Sequence, residues 1–107
     1  MISAVLVKSG GKWQGFTVKG HSGSAPKGKD IICAAVSSVV QTALIGLDEV
    51  AGVKNSYEIS DGFVKCELPA GLDDEVFSKV SVILDVMSLG IKSIAEQYSD
   101  FVRIKED

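Results

Sequence analysis

Between Asp30 and about Val50 the chain carries Ile31-Ile32-Cys33-Ala34-Ala35-Val36-Ser37-Ser38-Val39-Val40-Gln41-Thr42-Ala43-Leu44 without a glycine or proline. The run is too long for a strand and apolar on most sides, which predicts a helix with little polar surface. Asp30 is placed to cap it, because its carboxylate can accept from backbone N–H groups two or three residues on, that of Cys33 included. Gly52 is the expected stop, with Gly46 as an earlier alternative.

Around this helix the sequence alternates. Ile2, Ala4 and Leu6 stand against Ser3, Val5 and Val7, and after Ser9-Gly10-Gly11 a second extended run goes from Trp13 to Lys19. A Gly-Gly pair between two such runs is a hairpin signal, since both turn residues take positive φ without steric cost. Tyr57 to Ser60, Asp61-Gly62 and Phe63 to Leu68 predict a second hairpin, with Asp-Gly suited to a type I′ turn. Its second strand puts Val64, Cys66 and Leu68 on one face. Pro69-Ala70-Gly71 breaks the chain, Asp73 or Asp74 caps a second helix running to about Tyr98, and Gly90 is a place for that helix to kink or pause. Phe101 to Lys105 closes as a short strand. The order is ββαββαβ, an α+β fold with a five-stranded antiparallel or mixed sheet and two helices, in one domain spanning residues 1–107.

Composition excludes some functions. With 14 acidic and 11 basic residues the net charge is −3. The basic residues are scattered, with only Lys27 and Lys29 close together, so no platform for phosphate backbones exists and no direct nucleic acid is expected. The apolar start, Met1 to Val7, meets Lys8 and two glycines too soon for a signal-peptide core or a membrane span. Two cysteines, Cys33 and Cys66, without C-x-x-C spacing, fit a reducing cytosol, so no membrane and a cytoplasmic location are expected.

Chemistry concentrates in Gly20-His21-Ser22-Gly23-Ser24-Ala25-Pro26-Lys27-Gly28-Lys29-Asp30-Ile31-Ile32-Cys33, a glycine-rich loop from a strand end to a helix start that holds the only histidine and one of the two cysteines. Catalytic groups gather on such loops. Cys33 falls in the first helical turn, where unpaired N–H groups and the helix dipole favour an anion, and the thiolate is the nucleophilic form. Asp30 opposes this in part; a protonated His21 alongside offsets it. Ser37 lies one turn further on the same face, with its hydroxyl expected to lean back toward Cys33, where it would orient His21 or hold substrate. Asp30 and Ser37 have equal merit as the group that orients His21. The free amides of the first turn are the natural donors to a developing oxyanion. A buried cysteine can equally be core filler and a lone histidine is ordinary; their joint presence at the two ends of one loop favours a catalytic pair. Cys66, alternating with Val64 and Leu68, reads as core.

Other sites fail on chemistry. Gly23 to Lys29 fits the start of a phosphate-binding loop, but Asp30 stands where a Ser or Thr hydroxyl is needed. His21, Cys33 and Cys66 lack a fourth ligand and any usual zinc spacing, so no metal and no cofactor are expected. Asp73-Asp74 is helix-start charge.

Gly20-His21-Ser22-Gly23 followed by Gly28-Lys29-Asp30-Ile31-Ile32-Cys33-Ala34-Ala35-Val36-Ser37 closely resembles the ribosomal-processing cysteine protease family, Prp. The resemblance implies a bacterial Cys-His protease that removes a short N-terminal extension from large-subunit ribosomal protein L twenty-seven, with that extension as peptide substrate. By position His21 becomes the base and Cys33 the nucleophile, while Gly20, Asp30 and Ser37 match supporting positions. The loop holding Ser22, Gly23, Gly28 and Lys29 becomes a mobile gate over the substrate. Family members are homodimers, and Val76, Phe77, Val80, Ile83, Leu84, Met87, Ile91 and Ile94 offer more apolar surface than one small sheet needs, some of it for a partner subunit. A reading from another class remains open: a non-catalytic ribosome-associated binding module. A thiol redox sensor would need Cys66 to resolve Cys33, against its expected burial.

Overall fold

Gly10 and Gly11, at φ 59° and 79°, turn the chain between β1 (Ile2–Ser9) and β2 (Lys12–Lys19), as the Gly-Gly pair predicts. The computed structural model describes residues 1–26 and 30–107. After the glycine-rich loop come α1 (Ile31–Glu49), β3 (Tyr57–Ser60), β4 (Phe63–Glu67), α2 (Asp74–Gln97) and β5 (Val102–Glu106). The sheet is mixed, in the order β3-β4-β2-β1-β5, with β5 parallel to β1 and the other neighbours antiparallel. The fold is therefore α+β with the expected element order.

The two sequence hairpins are fused into one sheet by β2 and β4, whose register sets Phe16 opposite Cys66 and Lys19 opposite Phe63. That pairing carries the β3–β4 turn to the end of β2, beside Gly20 and His21. The turn itself differs from expectation. Gly62 has φ 66° but Asp61 keeps a negative φ, so the type I′ geometry, which needs positive φ at both positions, is not formed.

A bulge settles which face of β2 is buried. Val7 pairs with Gly15 and Lys8 with Trp13, leaving Gln14 as the extra residue. In a regular strand Trp13 would point away from Phe16 and Val18. The slip instead lets all three enter the core, where the Trp13 indole donates to Asp85 Oδ1 of α2 at 2.8 Å and the Lys8 ammonium lies 4.6 Å from the ring centre.

Both helices are started by the aspartates that the sequence marks. Asp30 accepts from the Cys33 amide and Asp73 from the Val76 amide. α1 ends at Glu49, and Gly46 lies inside it. Ile32, Val36, Val40, Ala43, Leu44 and Leu47 of α1 share one core with the sheet and with Val80, Leu84, Met87 and Ile91 of α2. α1 is long and apolar enough to cross a membrane by length and composition; here it is a core helix. Gly46 and Gly90 are contact points between the helices: a Cβ at Gly46 would lie 3.3 Å from the Ile83 side chain and one at Gly90 3.1 Å from Val39. α2 continues through Gly90 to Gln97, so this glycine serves packing and ends nothing.

The face of α2 expected to offer surplus apolar surface is spent internally. Val80, Leu84, Met87 and Ile91 are buried, and Val76, Phe77, Ile83 and Ile94 pack against the core. What remains exposed is a different stripe, Val82, Val86 and Leu89, spaced four and three residues apart on one side of the helix.

Gly15 sits where β2 runs close against the backbone of β4. A Cβ there would run into the Cys66 carbonyl oxygen and crowd Glu67, backbone that cannot swing aside. Gly15→Ala is therefore expected to lower unfolding free energy by about 1–3 kcal/mol or more, read as a lower urea midpoint at unchanged m-value.

Candidate active site

The backbone of His21 is held from two sides. The Gly20 amide donates to the Gly62 carbonyl at 2.9 Å, and the N-terminal amine of Met1 donates to the His21 carbonyl at 2.6 Å. Gly20 has φ 99°, and a Cβ on it would collide with the Met1 carbonyl oxygen; the motif glycine is there because the chain passes this close to β1.

Beyond His21 the loop folds onto the helix cap. Ser22, buried at 4% exposure, donates from its hydroxyl to Asp30 Oδ2. Ser24 donates to Asp30 Oδ1 at 3.1 Å, and the Cys33 amide donates to the same oxygen at 2.9 Å. These bonds, that of Ser22 foremost and that of Cys33 next, hold the Asp30 carboxyl below its ordinary value of 3.8, against the opposing effect of partial burial. Gly23 lines the cleft described below; Gly28 and Lys29 lie outside the described residues.

On this frame the Cys33 sulfur, half-buried at the start of α1, lies 3.8 Å from His21 Nδ1. The pair opens onto a cleft of about 500 Å3 between the α1 start and the β3–β4 hairpin. One wall is polar, from His21, Asp30 and Asp61. The floor is apolar, from Val36, Val40 and Val64, with Ile59 and Phe63 at the hairpin.

Side-chain geometry gives partners to the two candidates for orienting His21. Ser37 lines the cleft, but its hydroxyl accepts from Gln41 Nε2 at 2.7 Å, one turn onward along its own helix. Asp30 is engaged by Ser22, Ser24 and the Cys33 amide, so its carboxylate orients the loop and the cap. The same cap occupies the Cys33 amide that would otherwise serve an oxyanion, and Ala34 N–H is bonded to the Asp30 carbonyl at 3.1 Å. The favourable dipole remains at the sulfur end.

The sequence marks Asp61 only as a turn residue. In the structure its Oδ2 stands 4.0 Å from His21 Nε2, on the far side of the ring from Cys33. The signal that finds it is the β2–β4 register, which places the hairpin turn against the residue after Gly20; neither hairpin alone reveals it.

Cys66 behaves as the sequence reading has it. It is 1% exposed, its thiol faces Ser56 Oγ at 3.9 Å, and burial pushes it up to about 11. Among the described residues no cluster of His, Cys, Asp and Glu is grouped to hold a metal ion.

Two outcomes follow from these environments. Iodoacetamide at neutral pH should label Cys33 alone in the native protein, Cys66 reacting only after unfolding, as read by mass spectrometry of digests. Because the Asp30 carboxyl is depressed on folding, its stabilising effect is present above 3.8 and lost as pH falls through the folded value. Melting curves of Asp30→Asn, which keeps a capping side chain, should therefore lie below those of the wild type at neutral pH and converge with them in acid.

Comparison with known proteins gives the family. Residues 1–103 match the family model described as Cysteine protease Prp. The chain is 30% identical over 107 residues to the ribosomal processing cysteine protease Prp of Bacillus subtilis (strain 168), covering 97% of this chain and 96% of that protein. It is 30% identical over 95 residues to the protein of the same name from Mycoplasma genitalium, covering 88% and 90%. The crystal structure of SMU.848 from Streptococcus mutans superposes with a TM-score of 0.84 at 30% identity, over 99% of this chain and 93% of that one. The fold is also that of the essential ribosomal processing protease Prp from S. aureus, solved with a covalently linked product peptide, at a TM-score of 0.82 and 21% identity over the whole of both chains. Matched along almost its entire length and sharing the relatives' fold, the chain belongs to the Prp family of cysteine proteases.

Proposed function

We propose that this cysteine protease removes a short N-terminal extension from bacterial ribosomal protein L twenty-seven, with Cys33 as nucleophile and His21 as its base. The observation that carries the assignment is the 3.8 Å approach of His21 Nδ1 to the Cys33 sulfur at the mouth of the cleft, a separation that tightens in a substrate complex.

His21 Nδ1 takes the thiol proton, and the sulfur attacks the scissile carbonyl carbon. The tetrahedral intermediate collapses as the C–N bond breaks, and His21 returns the proton to the leaving amine. Water then gives a proton to His21 while its oxygen attacks the thioester carbon. The C–S bond breaks, the acid product leaves and Cys33 regains its proton. Gly20 keeps the base close to β1, and Asp30 fixes the start of the helix that carries the nucleophile.

The substrate assignment draws on the relatives, which are named for ribosomal processing, and on the S. aureus protein, solved in complex with a substrate peptide. The apolar floor formed by Val36, Val40 and Val64 suits an extension that ends in apolar or aromatic side chains. Ser22 and Gly23 belong to the gate over that peptide, Ser22 being anchored on Asp30. Ser37 supports the cleft wall through Gln41. A homodimer in the cytoplasm completes the reading, with the exposed stripe of Val82, Val86 and Leu89 as the apolar surface available to a partner.

The decisive assay incubates the protein with a peptide spanning the extension and the first residues of mature L twenty-seven, followed by mass spectrometry. A single cut is expected from wild type and Cys66→Ser and none from Cys33→Ala, while His21→Ala loses roughly 10²–10⁴-fold in rate. Cleavage surviving Cys33→Ala would overturn the nucleophile; tight peptide binding without a product from folded wild type would favour a non-catalytic binding module.

A further inference from the structure

The His21 ring is flanked on opposite edges by two groups of opposite chemical demand. Nδ1 faces the Cys33 sulfur at 3.8 Å, and Nε2 faces the Asp61 carboxylate at 4.0 Å. The contact is built into the fold. Gly62 lies so close under the ring that a Cβ there would be 2.8 Å from Nε2, and the Gly62 carbonyl accepts from the Gly20 amide at 2.9 Å. The β3–β4 turn thus holds the backbone before His21 and packs against its side chain at once.

We propose that Asp61, presented by this turn, is a positioning residue for His21. Its carboxylate favours a proton on Nε2, which leaves Nδ1 as the basic nitrogen toward Cys33, and it stabilises the imidazolium formed when Nδ1 takes the thiol proton. Gly62 is the companion requirement, because any side chain at that position would drive the ring from between carboxylate and sulfur. The inference rests on the assignment of His21 as the base and adds the third member of the constellation.

Among the described residues, the other charged groups near the ring are bonded elsewhere. On α1 the ring meets the Cys33 thiol. The Met1 amine, from the start of β1, is bonded to the His21 carbonyl oxygen. Asp30, across the loop, is committed to Ser22, Ser24 and the Cys33 amide. Solvent limits the size of the effect: the His21 and Asp61 side chains are 51% and 68% exposed, so the carboxylate is screened far more than one buried behind its histidine.

The test is the pH dependence of peptide cleavage by Asp61→Asn. Asparagine suits a turn and keeps the side-chain shape, so the melting temperature should stay near that of wild type. Expected are a kcat lower by roughly 10-fold, short of the ~10⁴-fold lost when a buried triad carboxylate is replaced, with KM little changed. The acid limb of the kcat/KM profile should also move to lower pH, because the protonated, inactive form of the base loses its neighbouring negative charge. Asp61→Glu, which restores a carboxylate, should recover much of the rate and return the limb toward its wild-type position. A merely structural role would lower the rate at every pH and leave the limb in place, and that result, or an Asp61→Asn enzyme with wild-type kinetics, would overturn the proposal. If Cys33→Ala were equally active in the same assay, the underlying assignment would have failed; an inactive Cys33→Ala beside an unaltered Asp61→Asn condemns only the role of Asp61.

Discussion

The burial of α1 is the constraint on which the rest of the structure depends. A helix carrying Ile32, Val36, Val40, Leu44 and Leu47 contributes about 1.5–3 kcal/mol for each such side chain it removes from water. It finds that cover only between a sheet face and a second helix. Both helices accordingly share one core with the sheet, and the bulge at Gln14 turns Trp13 into that core instead of away from it. α2 approaches α1 where glycines allow, at Gly46 and Gly90. Once α1 is seated, its N-terminus projects at the end of the sheet where β2 finishes and the β3–β4 hairpin turns.

That placement makes the Asp30 carboxylate the hinge between stability and chemistry. Its hydrogen bond to the Cys33 amide starts the helix, and those from Ser22 and Ser24 draw the loop back over the start. The loop then delivers His21 to the sulfur without a hydrogen bond between Asp30 and the imidazole. The cap uses the Cys33 amide, so the helix end offers its dipole to the Cys33 sulfur but not that N–H to an oxyanion. Asp30 thus acts on the scaffold that carries His21 and Cys33 together.

Local signals made much of this legible in the sequence. Gly10-Gly11, the capping aspartates Asp30 and Asp73, and the unbroken apolar run of α1 each specify their element through short-range physics, and the element order followed from them. His21 and Cys33 were legible because one loop holds both. The alternation of Val64, Cys66 and Leu68 was enough to mark Cys66 as core. What the sequence obscured depends on tertiary register. The slip opposite Lys8 has no local signature beyond a tryptophan out of phase with Phe16. Gly90 looks like a pause in the sequence because its close contact, Val39, lies on the other helix. The apolar face of α2 looks like surplus in the sequence because one amphipathic pattern does not carry the depth of the core.

Asp61 shows the same limit at the site itself. As a turn residue it satisfied every local expectation, and nothing within either hairpin connects it to a histidine forty positions earlier. The connection arises from β2 pairing with β4, with Lys19 opposite Phe63, which lays the turn across the strand end from which His21 emerges. Non-local strand pairing of this kind is fixed by burial of one sheet face, since a slip of one residue would send either Phe16 and Val18 of β2 or Cys66 of β4 to the other face. The register that protects the core is therefore also the register that sets a carboxylate beside the imidazole. A substitution that altered the pairing of β2 with β4 would disturb the approach of His21 to Cys33 without touching either residue.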